Sequence, residues 1–167
     1  MGKASISIAH LDTDELIDLL NMALAEEWLS YYQYWIGARV MEGPMRMEIE
    51  EELLEHANEE LGHAELLATR ITQLGGTPIL SPDEWSKVAG CAYQTPSDPY
   101  TETILTQNLG SERCAIERYQ QIASLTEGKD YATYQIAINI LNDELDHEED
   151  IEGWMKDISS LKNHLRK

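Results

Sequence analysis

The sequence predicts an all-α protein, a four-helix bundle whose second and third helices are joined by one long crossover. Three observations lead there. Apolar residues recur at steps of three and four along four long segments. Glycine-containing turns near residues 43 and 128 are short, which makes antiparallel hairpins of the first and second pairs of helices. The connection at 75–97 is 23 residues long, and an extended chain of that length reaches roughly 75 Å. It can therefore run the length of a helix and leave the second and third helices parallel. The 167 residues suit one domain over 1–167, long enough to bury one core.

The first helix is expected at about 13–41. Asp12 and Glu15 form a capping box ahead of a stripe at Leu16, Leu20, Ala23, Glu27, Tyr31, Tyr34 and Ala38, and Gly43-Pro44 ends it. The second, at about 46–74, carries Ile49, Leu53, His56, Glu60, His63, Leu67 and Leu74 before Gly75-Gly76. Within the crossover, Ser81 and Glu84 make another capping box, so a short helix is expected at about 82–89. Asp98 as cap and Pro99 at the first helical position start the third helix, about 98–125, with Leu105, Asn108, Glu112, Ala115, Tyr119 and Ile122 on its stripe. A turn at 126–130 leads to the fourth, about 130–160, with Ala137, Leu141, Glu144, His147, Ile151, Trp154 and Ile158.

Acidic residues number 31 and basic residues 12, a formal net charge of −19. Such a surface repels nucleic-acid phosphates and anionic lipid and attracts cations. Two cysteines are too few for a secreted disulfide scaffold. No segment has the length and apolarity of a membrane span, and the first residues show no apolar run of signal-peptide length. A cytoplasmic protein is the expectation.

The polarity of the stripes is the main clue to function. Glu27, Glu60, His63, Glu112, Glu144 and His147 all occupy positions that should face the core. Burying four ionised carboxylates without a partner is very costly, and one or two cations relieve that cost. Glu60-x-x-His63 and Glu144-x-x-His147 are each i, i+3 neighbours on a helix face. The midpoint of Glu27 and Glu60 falls between Gly43 and Pro44, and that of Glu112 and Glu144 falls on Gly128. Each hairpin therefore sets its two glutamates at one level. Tyr34 and Tyr119 follow Glu27 and Glu112 at the same +7 spacing, so the chain reads as one half-site written twice. Four carboxylates offset the charge of two divalent metals, and carboxylate and imidazole ligands together suit iron or manganese better than zinc.

With these residues in view, the chain resembles the ferritin-like superfamily over nearly its whole length. The stretches AEEWLSYYQYW, EELGHAELLATRI, SERCAIERY and NDELDHEEDI look most like the Dps-like miniferritins called thioferritins. The resemblance implies a ferritin-like bundle with two iron ions per subunit. Glu27 and Glu112 would be terminal ligands, Glu60 and Glu144 bridging ligands, and His63 and His147 would bind one ion each. Glu26 rivals Glu27 in the motif but lies off the stripe. Tyr34 and Tyr119 would orient carboxylates or supply an electron, and ordinary core aromatics are the alternative. His56, one turn before Glu60, is either an extra ligand or iron-entry residue, or a packed helix histidine. Cys91 and Cys114 match the family's cysteine pair, which implies a redox couple near the site; two small buried hydrophobes are the alternative.

By the same resemblance, the protein would oxidise Fe(II), preferably with hydrogen peroxide, and store Fe(III) inside a hollow shell of twelve subunits. A di-metal peroxidase or manganese catalase that stores nothing is the competing reading. The sequence has no Cys-x-x-Cys pair, so a fused rubredoxin is excluded. DNA binding is not expected. Lys3 stands alone at the N-terminus, and Lys162, Arg166 and Lys167 make only a small basic tip. A bundle that merely scaffolds partners would be indifferent to chelation.

Overall fold

The computed structural model describes residues 3–165. The helices are α1 (Lys3–Ser7), α2 (Thr13–Val40), α3 (Arg46–Gln73), α4 (Trp85–Val88), α5 (Thr101–Thr126) and α6 (Tyr131–Leu165), with a 3₁₀ turn at Pro82–Glu84. The long helices α2, α3, α5 and α6 form the bundle. Asp12 caps α2 by accepting from the Asp14 and Glu15 N–H groups.

Two belts of core side chains bracket the middle of the bundle. Leu16, Leu20, Leu67, Ile71, Ile122 and Ile140 pack at the end near the 128 turn. Ile49, Leu53, Met41, Ile104, Leu105 and Ile151 pack at the other. Each fully buried side chain of this size contributes about 1.5–3 kcal/mol. The polar stripe residues lie between these belts.

The crossover runs back along α2 and is strapped to it by polar side chains. Asn21 donates to Thr77 O and accepts from Ile79 N. Glu26 accepts from Gly90 N at 2.8 Å, and Gln33 accepts from Gln94 N at 2.9 Å. Trp28 stacks on Trp85 with ring centroids 5.3 Å apart. At its far end the chain pairs with the end of α2: Glu42 N donates to Pro99 O and Thr101 N to Glu42 O. Gly43, at φ 124°, leaves room for this seam, since a Cβ there would stand 2.8 Å from Thr101 Oγ1. Thus α3 and α5 start at the same end and run parallel.

The same pairing moves the start of the third long helix from the expected Asp98 to Thr101. Pro99 O accepts from Glu42 N, so the Asp98 carboxylate, although it takes Tyr100 N and Thr103 Oγ1, stands ahead of a helix whose cap residue is Tyr100. Ser81 makes no side-chain cap, so the expected helix at 82–89 divides into the 3₁₀ turn and the short α4. The last helix continues to Leu165 rather than about 160; Lys162 pairs with Glu102 of α5 and sits 5.0 Å over the Tyr100 ring. Helix α1 was not anticipated. Arg166 and Lys167 lie outside the described residues. Among the described residues, no helix is long and apolar enough to cross a membrane.

Candidate metal centre

Each long helix brings one carboxylate to the middle of the bundle: Glu27 from α2, Glu60 from α3, Glu112 from α5 and Glu144 from α6. His63 and His147 follow one turn after Glu60 and Glu144. All six are buried, none more than 4% exposed.

They form two overlapping groups that share Glu60 and Glu144. Glu27, Glu60, His63 and Glu144 make one; Glu60, Glu112, Glu144 and His147 make the other. His63 Nδ1 faces Glu27 Oε2 at 3.4 Å, Glu60 Oε2 at 3.5 Å and Glu144 Oε1 at 3.4 Å. His147 Nδ1 faces Glu144 Oε2 at 3.3 Å, Glu112 Oε2 at 3.5 Å and Glu60 Oε1 at 3.6 Å. Yet both Nδ1 atoms, Glu27 Oε2, Glu60 Oε1, Glu112 Oε2 and both Glu144 oxygens make no hydrogen bond. Unpaired buried groups of this kind cost about 1–3 kcal/mol each. Two donors bound to one first-row divalent ion at about 2.1 Å stand about 3.0–3.5 Å apart. The spacing and the orphaned atoms therefore fit a pair of ions.

The outer partners are exchanged between the hairpins. Tyr34 of α2 donates to Glu112 Oε1, and Tyr119 of α5 donates to Glu27 Oε1. Burial, then the charge of the carboxylates, holds both phenols well above their usual range, so they remain donors. His63 Nε2 stands 3.2 Å from Asp143 Oδ2, and His147 Nε2 stands 2.7 Å from Glu59 Oε2. These contacts fix the ring orientations and leave Nδ1 aimed inward. Sequence reasoning missed Glu59 and Asp143. The available signal was that each directly precedes a shared glutamate.

Glu26 lies outside the centre. Its carboxylate accepts from Arg118 Nε at 2.9 Å and Nη2 at 3.0 Å, as well as from Gly90 N. Cys91 and Cys114 form a disulfide that ties the crossover to α5. Neither belongs to the two Glu/His groups, as the roughly 200° rotation between Glu112 and Cys114 requires. Removing a crosslink over a 23-residue separation costs about 3 kcal/mol by loop entropy. Cys91→Ser is thus expected to lower the melting temperature by several degrees, with thiol titration confirming the lost bond. His56 stacks on His147 at 4.0 Å, and burial, then His147, pulls its pKa down to about 4.

Without metal, the centre resists losing its protons. Burial, then the neighbouring carboxylates, raises Glu60 well above its usual range and lifts Glu112 to about 7. Burial opposes charging His63 and His147, but the surrounding carboxylates outweigh it and hold both protonated. All four folded-state values lie above the unfolded ones, so their stabilisation is complete at low pH and is lost as pH rises. His56 has the opposite sign and matters only as pH falls from about 6.5 to 4. The chelated protein is therefore expected to melt at progressively lower temperature from about pH 5 to pH 8. A bound divalent ion replaces those protons, so its stabilising effect grows over the same range. Melting curves with and without Zn(II) check both slopes.

A bundle with this crossover, closed around four buried carboxylates and two imidazoles, defines a ferritin-like protein. The ferritin-like domain family matches residues 17–161, and the chain belongs to it. It is similar to Dps, thioferritin and bacterioferritin proteins. It is 36% identical over 162 residues to the DNA protection during starvation protein of Pyrococcus furiosus, covering 94% of this chain and 84% of that protein. The dodecameric thioferritin of Bacteroides fragilis, a bacterioferritin-related protein, superposes with a TM-score of 0.98 at 49% identity, covering 99% of this chain and 100% of that one. Rhodobacter capsulatus bacterioferritin superposes with a TM-score of 0.76 at 25% identity, over 89% of this chain and 88% of that one.

Proposed function

We propose that this chain is a miniferritin subunit that binds two Fe(II) as substrate, oxidises them and passes Fe(III) to a mineral stored in a shell of twelve copies. The observation that carries this reading is the set of buried, unpaired donor atoms contributed by all six residues and aimed at one another. Glu60 and Glu144 belong to both groups and would bridge the ions. Glu27 and Glu112 would be terminal ligands, and His63 and His147 would bind one ion each. Manganese suits the same donors.

Hydrogen peroxide is the proposed oxidant. Two Fe(II), one peroxide and two protons give two Fe(III) and two waters, with one electron leaving each iron. The paired site keeps both electron donors beside one oxidant, so the O–O bond is cleaved by two electrons and no hydroxyl radical escapes. Tyr34 and Tyr119 hold the terminal carboxylates by hydrogen bonds during this exchange. The acidic surface concentrates Fe(II). Consumption of peroxide and sequestration of iron would together protect against oxidative stress.

The shell is supported by the likeness to the Bacteroides fragilis thioferritin, which is dodecameric. A cytoplasmic setting suits a protein that handles Fe(II).

The test is iron loading of metal-free protein followed by size exclusion. Fe(II) is supplied well beyond two per chain together with peroxide, and the co-eluting iron is measured. Iron far above two per chain, in a particle much larger than the 19.0 kDa subunit, is expected. Iron that stops at two per chain would leave a di-metal peroxidase or catalase, and no retained iron would overturn the ligand assignment.

A further inference from the structure

The disulfide sits at a charged corner outside the Glu/His centre. Cys91 Sγ, Cys114 Sγ and a carboxylate oxygen of Glu26 lie within 4.8 Å of one another. Glu26 is only 5% exposed, and both cysteines are half-buried. Gly90 lets the crossover come this close, since a Cβ there would stand 2.5 Å from Arg118 Nη2 and 3.1 Å from Glu26 Oε1.

Glu26 Oε1 stands 3.5 Å from Cys91 Sγ. A disulfide sulfur has no proton to donate, so in this form the contact gives the buried carboxylate little. The distance suits a different partner. A sulfur and an oxygen bound to one tetrahedral zinc, at about 2.3 and 2.0 Å, stand about 3.5 Å apart. The charges match as well. Two thiolates and the Glu26 carboxylate carry three negative charges. The Arg118 guanidinium, whose Nε holds Glu26 Oε2 at 2.9 Å, offsets one of them, and a divalent ion offsets the other two.

We propose that, once the disulfide is reduced, Cys91, Cys114 and Glu26 bind a single Zn(II), with water in the fourth position. Thiolate donors set this site apart from the dinuclear centre, whose carboxylates and imidazoles suit iron or manganese. A dithiol supplies the two electrons and two protons: its own sulfurs close into a disulfide as the Cys91–Cys114 bond breaks. Zinc then displaces the two thiol protons to solvent. Glu26 Oε1 turns from Arg118 Nη2 to the ion, while Oε2 keeps Arg118 Nε. Peroxide reverses the change: two thiolates, one peroxide and two protons give the disulfide and two waters, and the ion leaves. The site therefore holds zinc only in the reduced chain, and it does not depend on the iron reading above.

The test compares the metal-free full chain before and after reduction with a phosphine, with thiol titration and circular dichroism confirming a reduced, folded protein. Co(II) is the spectroscopic probe. The reduced chain should develop a thiolate-to-cobalt charge-transfer band in the near ultraviolet, and the oxidised chain should not, because its dinuclear centre offers only oxygen and nitrogen donors. Equilibrium dialysis with Zn(II) should register one zinc more per reduced chain, and peroxide should release it. Cys91→Ser should lose the band and the extra zinc. Glu26→Gln keeps both thiols and should weaken the extra zinc at least about tenfold, the lower end for a lost outer partner. Free thiols without a band, equal zinc counts in the two forms, or a band undiminished in Cys91→Ser would overturn the proposal. So would unchanged zinc affinity in Glu26→Gln, or zinc retained after the disulfide re-forms. A bridge that resists excess phosphine, or a chain that unfolds once reduced, would overturn it too, since the site then never forms.

Discussion

Replacing Glu60 by glutamine is expected to cut the initial rate of Fe(II) oxidation at least about 100-fold, beyond the 10–100-fold typical of lost outer partners. The same substitution should raise the melting temperature of the chelated protein. Glu60 is 1% exposed, and burial, then the charges of Glu144 and Glu27, disfavours its ionised form. Glutamine keeps the shape and removes the charge. What it cannot do is bridge two cations as an anion. The stabilisation that native protein gains from metal, about 2.7 kcal/mol at a hundredfold excess over Kd, should therefore shrink sharply. Stopped-flow oxidation and paired melting curves read both effects. A variant that oxidised iron normally, or melted lower than native protein under chelation, would contradict the assignment of Glu60.

The second large effect belongs to stability alone. Arg70 of α3 is 2% exposed and pairs through Nη2 with Asp130 Oδ2 at 2.8 Å, while its Nε donates to Thr133 Oγ1 at 2.8 Å. Asp130, 1% exposed, also accepts from the Ala132 and Thr133 N–H groups at the start of α6. Burial works against its ionisation, but Thr133 and Arg70 outweigh it and hold the carboxyl below the usual range. Removing the guanidinium leaves that anion buried and unpaired, at about 3–5 kcal/mol. Arg70→Ala should thus lower the melting temperature by about 10 °C in a chain of this size. Arg70→Leu combined with Asp130→Asn should recover part of the loss, because no lone charge then remains. Zinc stoichiometry should stay unchanged in any variant that remains folded. A fall of only a degree or two would show that the pair contributes little.

The centre was legible because helical periodicity is a local signal and polarity on an apolar stripe is conspicuous. The positions of Gly43 and Gly128 did the rest, since a short turn fixes which residues of a hairpin stand level. Contacts between the hairpins carry no such signal. Nothing in the spacing says that Tyr34 reaches Glu112 rather than a carboxylate of its own hairpin, or that His63 meets Asp143. Arg70 follows Leu67 by three and precedes Leu74 by four, so it lies on the stripe, but a basic residue near a helix end reads as solvated charge. The start of α5 was misplaced because Asp98-Pro99 is a good local cap. A long-range pairing with Glu42, invisible in sequence, overrides it.

The crossed tyrosines make each half of the site depend on the other. Each hairpin holds a glutamate, a tyrosine seven residues on, and a Glu-x-x-His, yet each tyrosine serves the glutamate of the other hairpin. A single hairpin thus brings its own two glutamates and histidine together but leaves its tyrosine without the glutamate it serves. Two identical copies, meeting face to face, would supply the whole constellation. The repeat and the crossed hydrogen bonds together give the site an internal pseudo-twofold. The crossover joins the two halves, and the candidate centre lies where they meet.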